Sequence, residues 1–482
     1  MKKSLDLSSG STLKWVLKLT IPSMLSQLVN VLYGIVDRMF IGNIPVVGDL
    51  ALAGVGVCGP IVTFISSFGT LVGLGGSIMM SMTMGRGDDK KAKKILSNSF
   101  LLLLIFSFVL TGVFLLIKKP MIYWFGGSDA TFPYANTYLT IYTLGTFFAL
   151  LALGLNYFIN CQGFSFNGMI TVFIGAIGNI ILDAVFVPGL GMGVAGAAWA
   201  TVVSQFLSCL YALLFLFGRK VKIKISFGNY DFRLMRNIMK SGISPFIILA
   251  TDSILLIAMN TALQMYGGDK GDLLISAVTV VQSCFLLITG PLIGISGGVQ
   301  PLISYNFGAL KEKRVRRAIQ YALCMALILT TSMFFATRLF ADSFVRIFSK
   351  TEETAEIAAW GMKVFTLMII PLSFQYVLVD ALTALGRIKT ALYLSAFRKS
   401  IFVIFIFLFA AKTKAENAFY AQPAADLISS IQSTIVFFAV YKPHMRKYMK
   451  GDKQPAENQM TAEADPTVEK QITGETDTSA EK

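Results

Sequence analysis

Charge is scarce in this chain. Only 14% of its 482 residues are Asp, Glu, Lys or Arg, 55% are hydrophobic, and the mean hydropathy is +0.66. Soluble domains carry about a quarter charged residues, so a water-soluble fold is excluded. Histidine is almost missing. His444 is the only one and lies beyond the last apolar run, which leaves no Ser-His or Cys-His couple inside the apolar segments. The five cysteines (Cys58, Cys161, Cys209, Cys284 and Cys324) show no CxxC spacing and read as reduced packing residues, not a metal site or disulfide frame. There is no P-loop GxxxxGK(S/T) and no HExxH. ATP drive and zinc hydrolysis therefore drop out, and the chain is expected to be neither an enzyme nor a cofactor carrier. No cleavable leader is expected either, because Met1 to Leu13 is polar and the first apolar run is too long for a signal core.

What the chain does have is apolar runs of membrane-spanning length. Twelve helices are expected, over 15–41, 51–82, 95–117, 134–160, 168–187, 194–217, 241–265, 273–305, 318–340, 355–384, 391–411 and 416–441. The fold class is all-α and polytopic. The formal net charge of +15 would suggest nucleic acid in a soluble protein, but here the basic residues concentrate in alternate loops. The N-terminus holds Lys2, Lys3, Lys14 and Lys18, the second loop Arg86 to Lys94, the sixth Arg219 to Lys240, the eighth Lys311 to Arg317, and the tenth Arg387 and Lys389. Both termini and the even loops are thus expected in the cytoplasm, with the chain in the plasma membrane and no nucleic-acid partner.

The basic sixth loop falls mid-chain and invites a search for duplication. A constant offset of 223 residues pairs Pro22 with Pro245, Asp37 with Asn260, Gly48-Asp49-Leu50 with Gly271-Asp272-Leu273, Gly75 with Gly298, Gly85 with Gly308 and Gly163 with Gly386. The chain reads as two six-helix parallel repeats. The expected organisation is an amino-terminal lobe over 1–217, a cytoplasmic linker over 218–240, a carboxy-terminal lobe over 241–441 and a disordered cytoplasmic tail over 442–482. Transporters built this way hold substrate between the halves. Gly69, Gly73 and Gly76 on the second helix give a small-residue face for close backbone packing.

The candidate site residues are polar groups inside apolar helices. On the first helix Ser23, Gln27, Asn30, Gly34 and Asp37 step by three or four and share one face. An ionisable group in such a place costs about 2.5–3.5 kcal/mol on insertion scales, so Asp37 is either compensated or used. Arg38 is adjacent but points about 100° away, which makes a direct pair awkward. On the fifth helix Asn179 and Asp183 lie one turn apart, so the two carboxyls and the amide form a candidate relay for a cation, H⁺ or Na⁺. Structural readings stay open, with either carboxyl reaching water at a helix end. Tyr33, Asn156, Asn160, Thr201 and Gln205 are candidates to complete a polar cavity, with Asp252, Asn260 and Gln264 on the seventh helix. Asp380 falls close to the cytoplasmic end of the tenth helix, and Asp426 on the last has no evident partner.

These stretches resemble the multidrug and toxin extrusion (MATE) transporters of prokaryotes, over roughly residues 15–441. The most specific is GNIILDAVFVPGLGMGVAGAAWAT, Gly178 to Thr201. Pro22 and Asp37 on the first helix fit as well, as does LVGLGGSIMMSMTMGRGD, Leu71 to Asp88. The resemblance implies twelve helices in two lobes around a V-shaped cleft, and export of organic, often cationic amphipathic compounds against H⁺ or Na⁺. It also implies cation sites at Asp37 and Asp183 beside Asn179, a bend of the first helix at Pro22, and a monomer working in the lipid bilayer. Three features depart from the pattern: NCQG at Asn160 to Gly163 in place of an arginine-bearing segment, Arg38, and Asp252. A flippase for a lipid-linked precursor, from the same superfamily, is the alternative; a basic cleft would favour it.

Overall fold

The computed structural model describes residues 6–125, 127–348 and 352–449. Its regular elements are all helical. The first half contains α1 (Thr12–Gly42), α2 (Gly48–Gly85), α3 (Asp89–Trp124), α4 (Phe132–Leu144), α5 (Thr146–Cys161), α6 (Ser165–Ala184) and α7 (Gly193–Phe217). The second contains α8 (Phe232–Gly267), α9 (Gly271–Gly308), α10 (Glu312–Leu339), α11 (Ala341–Phe348), α12 (Glu352–Phe365), α13 (Ile369–Ala384), α14 (Ile388–Lys412) and α15 (Ala421–Met449). Among the described residues, nine single helices and two bent pairs are long and apolar enough to cross a membrane. The remaining expected span corresponds to α8, 36 residues long.

Each expected span has its helix, and two of the spans are broken. The fourth bends by 57° between α4 and α5, and the tenth by 53° between α12 and α13. The breaks sit at equivalent repeat positions, since Gly145 lies 223 residues before Met368. Their causes differ. A Cβ at Gly145 would stand 2.5 Å from Val202 Cγ2, so the first break is a close approach to α7. At the second, the backbone freed by the bend is satisfied from α10: Arg338 donates to the Lys363 carbonyl at 2.9 Å and to Thr366 Oγ1 at 2.7 Å, with its guanidinium over the Phe334 ring. Backbone opened inside a membrane protein needs such a partner.

The two most extensive helix interfaces are α1 against α9 and α2 against α8, so the first helix of each repeat lies on the second helix of the other. Glycine permits these crossings. A Cβ at Gly75 would lie 2.5 Å from the Ile238 carbonyl oxygen, and one at Gly294 2.4 Å from Met24 Cα. Between the ends of α2 and α9, Gly85 abuts the Tyr305 carbonyl and Gly308 abuts the Met82 carbonyl, two contacts related by the same 223-residue offset. Gly73 meets Gly154 of α5 backbone to backbone, as its small-residue face predicts.

Polar contacts reinforce these ends. Leu7 is fully buried ahead of α1. Arg314 donates to the carbonyls of Gly10 at 2.7 Å, Ser9 at 3.0 Å and Leu7 at 3.3 Å, and Lys311 Nζ reaches the Ser8 carbonyl at 2.9 Å. Arg86, after α2, donates to the Tyr448 hydroxyl at 2.6 Å, and the Tyr448 ring stacks on Phe307. This contact corrects the sequence boundary at residue 442: α15 continues to Met449, held by buried Tyr441 and Met445. The remainder of the expected tail, from Lys450, lies outside the described residues, as do Lys2 and Lys3. Similarly α8 starts inside the expected linker, at Phe232, because Asp231 caps it by accepting from Arg233 N at 2.8 Å and Leu234 N at 3.4 Å. Of the cysteines all are free, four are buried, and Cys324 is exposed on α10.

A matched pair of substitutions tests the glycine crossing. Gly308→Ala forces its Cβ into the Met82 backbone and is expected to cost about 1–3 kcal/mol, read as a lower midpoint of thermal unfolding in detergent. Gly297→Ala, with nothing within 4 Å of its Cβ, should be neutral or slightly stabilising, because alanine favours the helix by about 1 kcal/mol.

Candidate functional site

A cavity of about 960 Å³ opens between the two halves, walled by residues of both. On the first-half wall α1 presents Ser23, Gln27, Asn30, Gly34 and Asp37, the polar face read from the sequence, with Tyr33 and Arg38 flanking it. α1 runs as one helix through buried Pro22, and the Pro22 carbonyl accepts from Ser26 Oγ at 2.8 Å. Asn156, Asn160, Asn179, Thr201 and Gln205 line the same wall from α5, α6 and α7.

Asp183 stands behind that wall, fully buried. Its carboxyl and that of Asp37 are close enough to share a hydrogen bond. Two carboxylates cannot make that bond unless one carries a proton. Without one, both oxygens of Asp183 and Oδ1 of Asp37 are buried with no donor. Oδ1 of Asn179 is orphaned too, while its Nδ2 reaches Thr201 Oγ1 at 3.5 Å. Four donorless oxygens, two of them on a fully buried acid, make a site that a proton or a small hard cation would complete. Among the described residues no group of three or more His, Cys, Asp or Glu is placed to hold a metal ion. Arg38, exposed beside Asp37, forms no ion pair among the described residues.

Local backbone explains how Asp183 is presented. Just after it, Val185–Gly189 forms a single wide turn in which Leu190 N donates to the Val185 carbonyl at 2.8 Å, and Pro188 has no N–H to offer. Such wide turns recur at functional sites. Two tyrosines lie beside the acids, Tyr33 on α1 and Tyr138 on α4, and the Tyr142 ring stacks on that of Tyr138 at 6.3 Å. Tyr138 contacts Thr201, and Tyr142 contacts Gln205 and Ser66. The α4 pair was not among the sequence candidates, although its one-turn spacing was legible.

Other candidates are placed differently from expectation. Asn156 and Asn160 are largely spent on packing, since Asn160 donates to Asn156 at 2.8 Å and Asn156 to the Gly168 carbonyl at 2.7 Å, joining α5 to α6. Asn260 is not on the cavity wall; it lies about two turns beyond Asp252 on α8, roughly 12 Å further along. Asp380, placed near the cytoplasmic end from sequence, faces the cavity beside Ser296 and Gln300. Asp426 has a partner after all: Arg398 Nε at 3.0 Å, with Gln422 at 2.9 Å. Asp252 pairs with Lys399 at 2.7 Å. Arg398 and Lys399 were overlooked, though two adjacent cations in the apolar run of α14 are themselves a signal.

The geometry is that of a polytopic membrane transporter with a central cavity and buried acids at one wall. The chain belongs to the MatE family, which it matches over residues 22–185 and 249–408; this is a family of transporters, not enzymes. It is 25% identical over 413 residues to the multidrug export protein MepA of Staphylococcus haemolyticus, covering 83% of this chain and 87% of that protein. MepA of Staphylococcus aureus (strain MSSA476) is 22% identical over 430 residues, covering 88% and 93%. The fold matches the outward-facing conformation of a multidrug resistance MATE family transporter of the MOP superfamily, with a TM-score of 0.85, 20% identity, and 92% and 99% of the two chains covered. It matches equally a MOP superfamily transporter from Pyrococcus furiosus described as having a binding pocket of reversed polarity, at 0.85 and 21% identity over 92% and 99%.

Replacing one acid of the pair tests its physical state. Asp183→Asn gives Asp37 a permanent donor and removes one buried charge. It should raise the thermal midpoint in sodium-free detergent, by about one hydrogen bond or ~1 kcal/mol. A lower midpoint would mean that the two carboxyls are already satisfied in the native protein.

Proposed function

We propose that this protein is a secondary active antiporter that exports organic, often cationic amphipathic compounds in exchange for H⁺ or Na⁺. The observation that carries the reading is the donorless set of Asp37 and Asn179 on the cavity wall and Asp183 behind it. One visiting cation cancels one of the pair's two charges and relieves their repulsion, and its departure leaves like charges in contact, which favours rearrangement of α1 against α6. Asp37 joins the two functions. It lines the substrate cavity and touches the buried acid, so ion and substrate compete through one side chain.

The lobes carry the motion in this reading. Residues 1–217 and 241–441 rock about the α1–α9 and α2–α8 crossings, with both termini and the even loops in the cytoplasm. The protein acts as a monomer in the plasma membrane and needs no cofactor. The match to MepA, a multidrug exporter, supports small organic substrates. A flippase for an anionic lipid-linked precursor would call for a net basic cleft. Here Arg38, Arg398 and Lys399 on the walls are balanced by Asp37, Asp252 and Asp380. Asp183 and Asp426 behind them tip the balance toward acid, which favours the antiporter.

Proteoliposomes loaded with a fluorescent organic cation, under H⁺ and Na⁺ gradients imposed separately, provide the test. One gradient should drive efflux, and Asp37→Asn and Asp183→Asn should each reduce that coupled flux at least about tenfold, the loss of ~1.4 kcal/mol of coupling or more. Undiminished coupled efflux in both variants would overturn the mechanism.

A further inference from the structure

The second-half wall of the cavity carries two ion pairs, and they differ in kind. Arg398–Asp426 is sealed: the Asp426 side chain has no exposure, Gln422 holds its carboxylate as well, and Tyr376 covers the guanidinium. Lys399–Asp252 is open. Asp252 Oδ1 is 2.7 Å from Lys399 Nζ, yet the Asp252 side chain is 51% exposed, while that of Lys399 is only 12% exposed. Lys399 is also anchored by Thr251 Oγ1 at 2.8 Å and by the Ile248 carbonyl. The cation is thus fixed in the wall and its partner is free to swing into the cavity.

We propose that Lys399 and Asp252 form an exchangeable acceptor for small zwitterionic organic substrates. The anionic group of the substrate replaces Asp252 on Lys399, and the released Asp252 takes the substrate's cationic group. One ion pair becomes two, and no charge is left unpaired in the wall. A substrate bearing only positive charge gains nothing here, because it must draw Asp252 away and strand a mostly buried ammonium. It is received instead by the acidic face of α1. The pair therefore sets selectivity between zwitterions and simple cations, and Arg398–Asp426 holds α14 to α15 while the exchange occurs.

This inference rests on the cavity being the substrate path, and the test separates the two. A rhodamine free acid, zwitterionic at neutral pH, and its methyl ester, a cation, are exported side by side from proteoliposomes of phosphatidylglycerol. Lys399→Gln should shift the acid-to-ester preference about tenfold toward the ester, the worth of one charge-assisted hydrogen bond. Asp252→Asn, which leaves Lys399 uncommitted, should shift it toward the acid, and it carries the test alone if the lysine variant does not fold. Preference ratios within about twofold of the parent protein in the variants would overturn the proposal, since a purely structural pair would not change selectivity. Export of the ester without the acid by the parent protein would also overturn it, with the transport reading intact. Export of neither would remove both. Repeating the measurement with phosphatidylethanolamine added tests a lipid source; competition by that zwitterionic headgroup would overturn the assignment to a soluble substrate.

Discussion

Four oxygens, from Asp37, Asp183 and Asn179, are buried together with no hydrogen-bond donor facing them. A buried carboxylate without a partner is among the most costly arrangements available to a protein. Folding energy cannot justify it locally, because an asparagine at either acid position would be better satisfied. The cost is supported by the rest of the scaffold, which fixes α1 and α6 in contact through extensive packing elsewhere. What the arrangement supplies is a site whose stability depends on an ion, and that dependence is the physical meaning of coupling.

The scaffold concentrates its tightest packing where the repeats cross and leaves its polar groups in the space between. Gly75, Gly85, Gly294 and Gly308 bring backbones into contact across the halves, and the Arg314 and Arg86 clusters close one end of the crossing. Small residues are the means by which membrane helices approach when no hydrophobic effect drives them together. The cavity is where large polar side chains keep the helices apart. Its two walls are chemically unequal: the first half offers bare acids, while in the second Asp426 and Asp252 are already paired with Arg398 and Lys399. Duplication supplied the frame, and divergence at Asp37 and Asn260 supplied the asymmetry.

Much of this was legible in the residues. The apolar runs located every span, the 223-residue offset located the repeat, and three-and-four spacing placed Gln27, Asn30 and Asp37 on one face. Asn179 and Asp183 were visible as a one-turn pair in an apolar run. What was not legible depends on contacts distant in sequence. Asp426 lies 28 residues from the arginine that neutralises it. Helical periodicity can place a residue on a face but cannot say which neighbour that face meets, which is why Asn260 was expected in the cavity and Asp380 near the membrane edge. The first broken span was hidden because it carries no proline at its bend, where a close approach to α7 decides the matter; the second had a signal in Pro371, which cannot donate to the Leu367 carbonyl inside the break, while the arginine that satisfies the freed backbone is distant in sequence. Helix ends shifted where a cap or a stacked aromatic decided the matter, at Asp231 and Tyr448.

The most direct measurement is cation binding by the purified protein: calorimetric titration with Na⁺, with proton release recorded in parallel, on the parent chain and on the double variant Asp37→Asn with Asp183→Asn. The account predicts a saturable site in the parent chain that takes up Na⁺ or exchanges a proton, and no such site in the double variant. Equal cation binding by the two proteins would place the ion elsewhere and contradict the account.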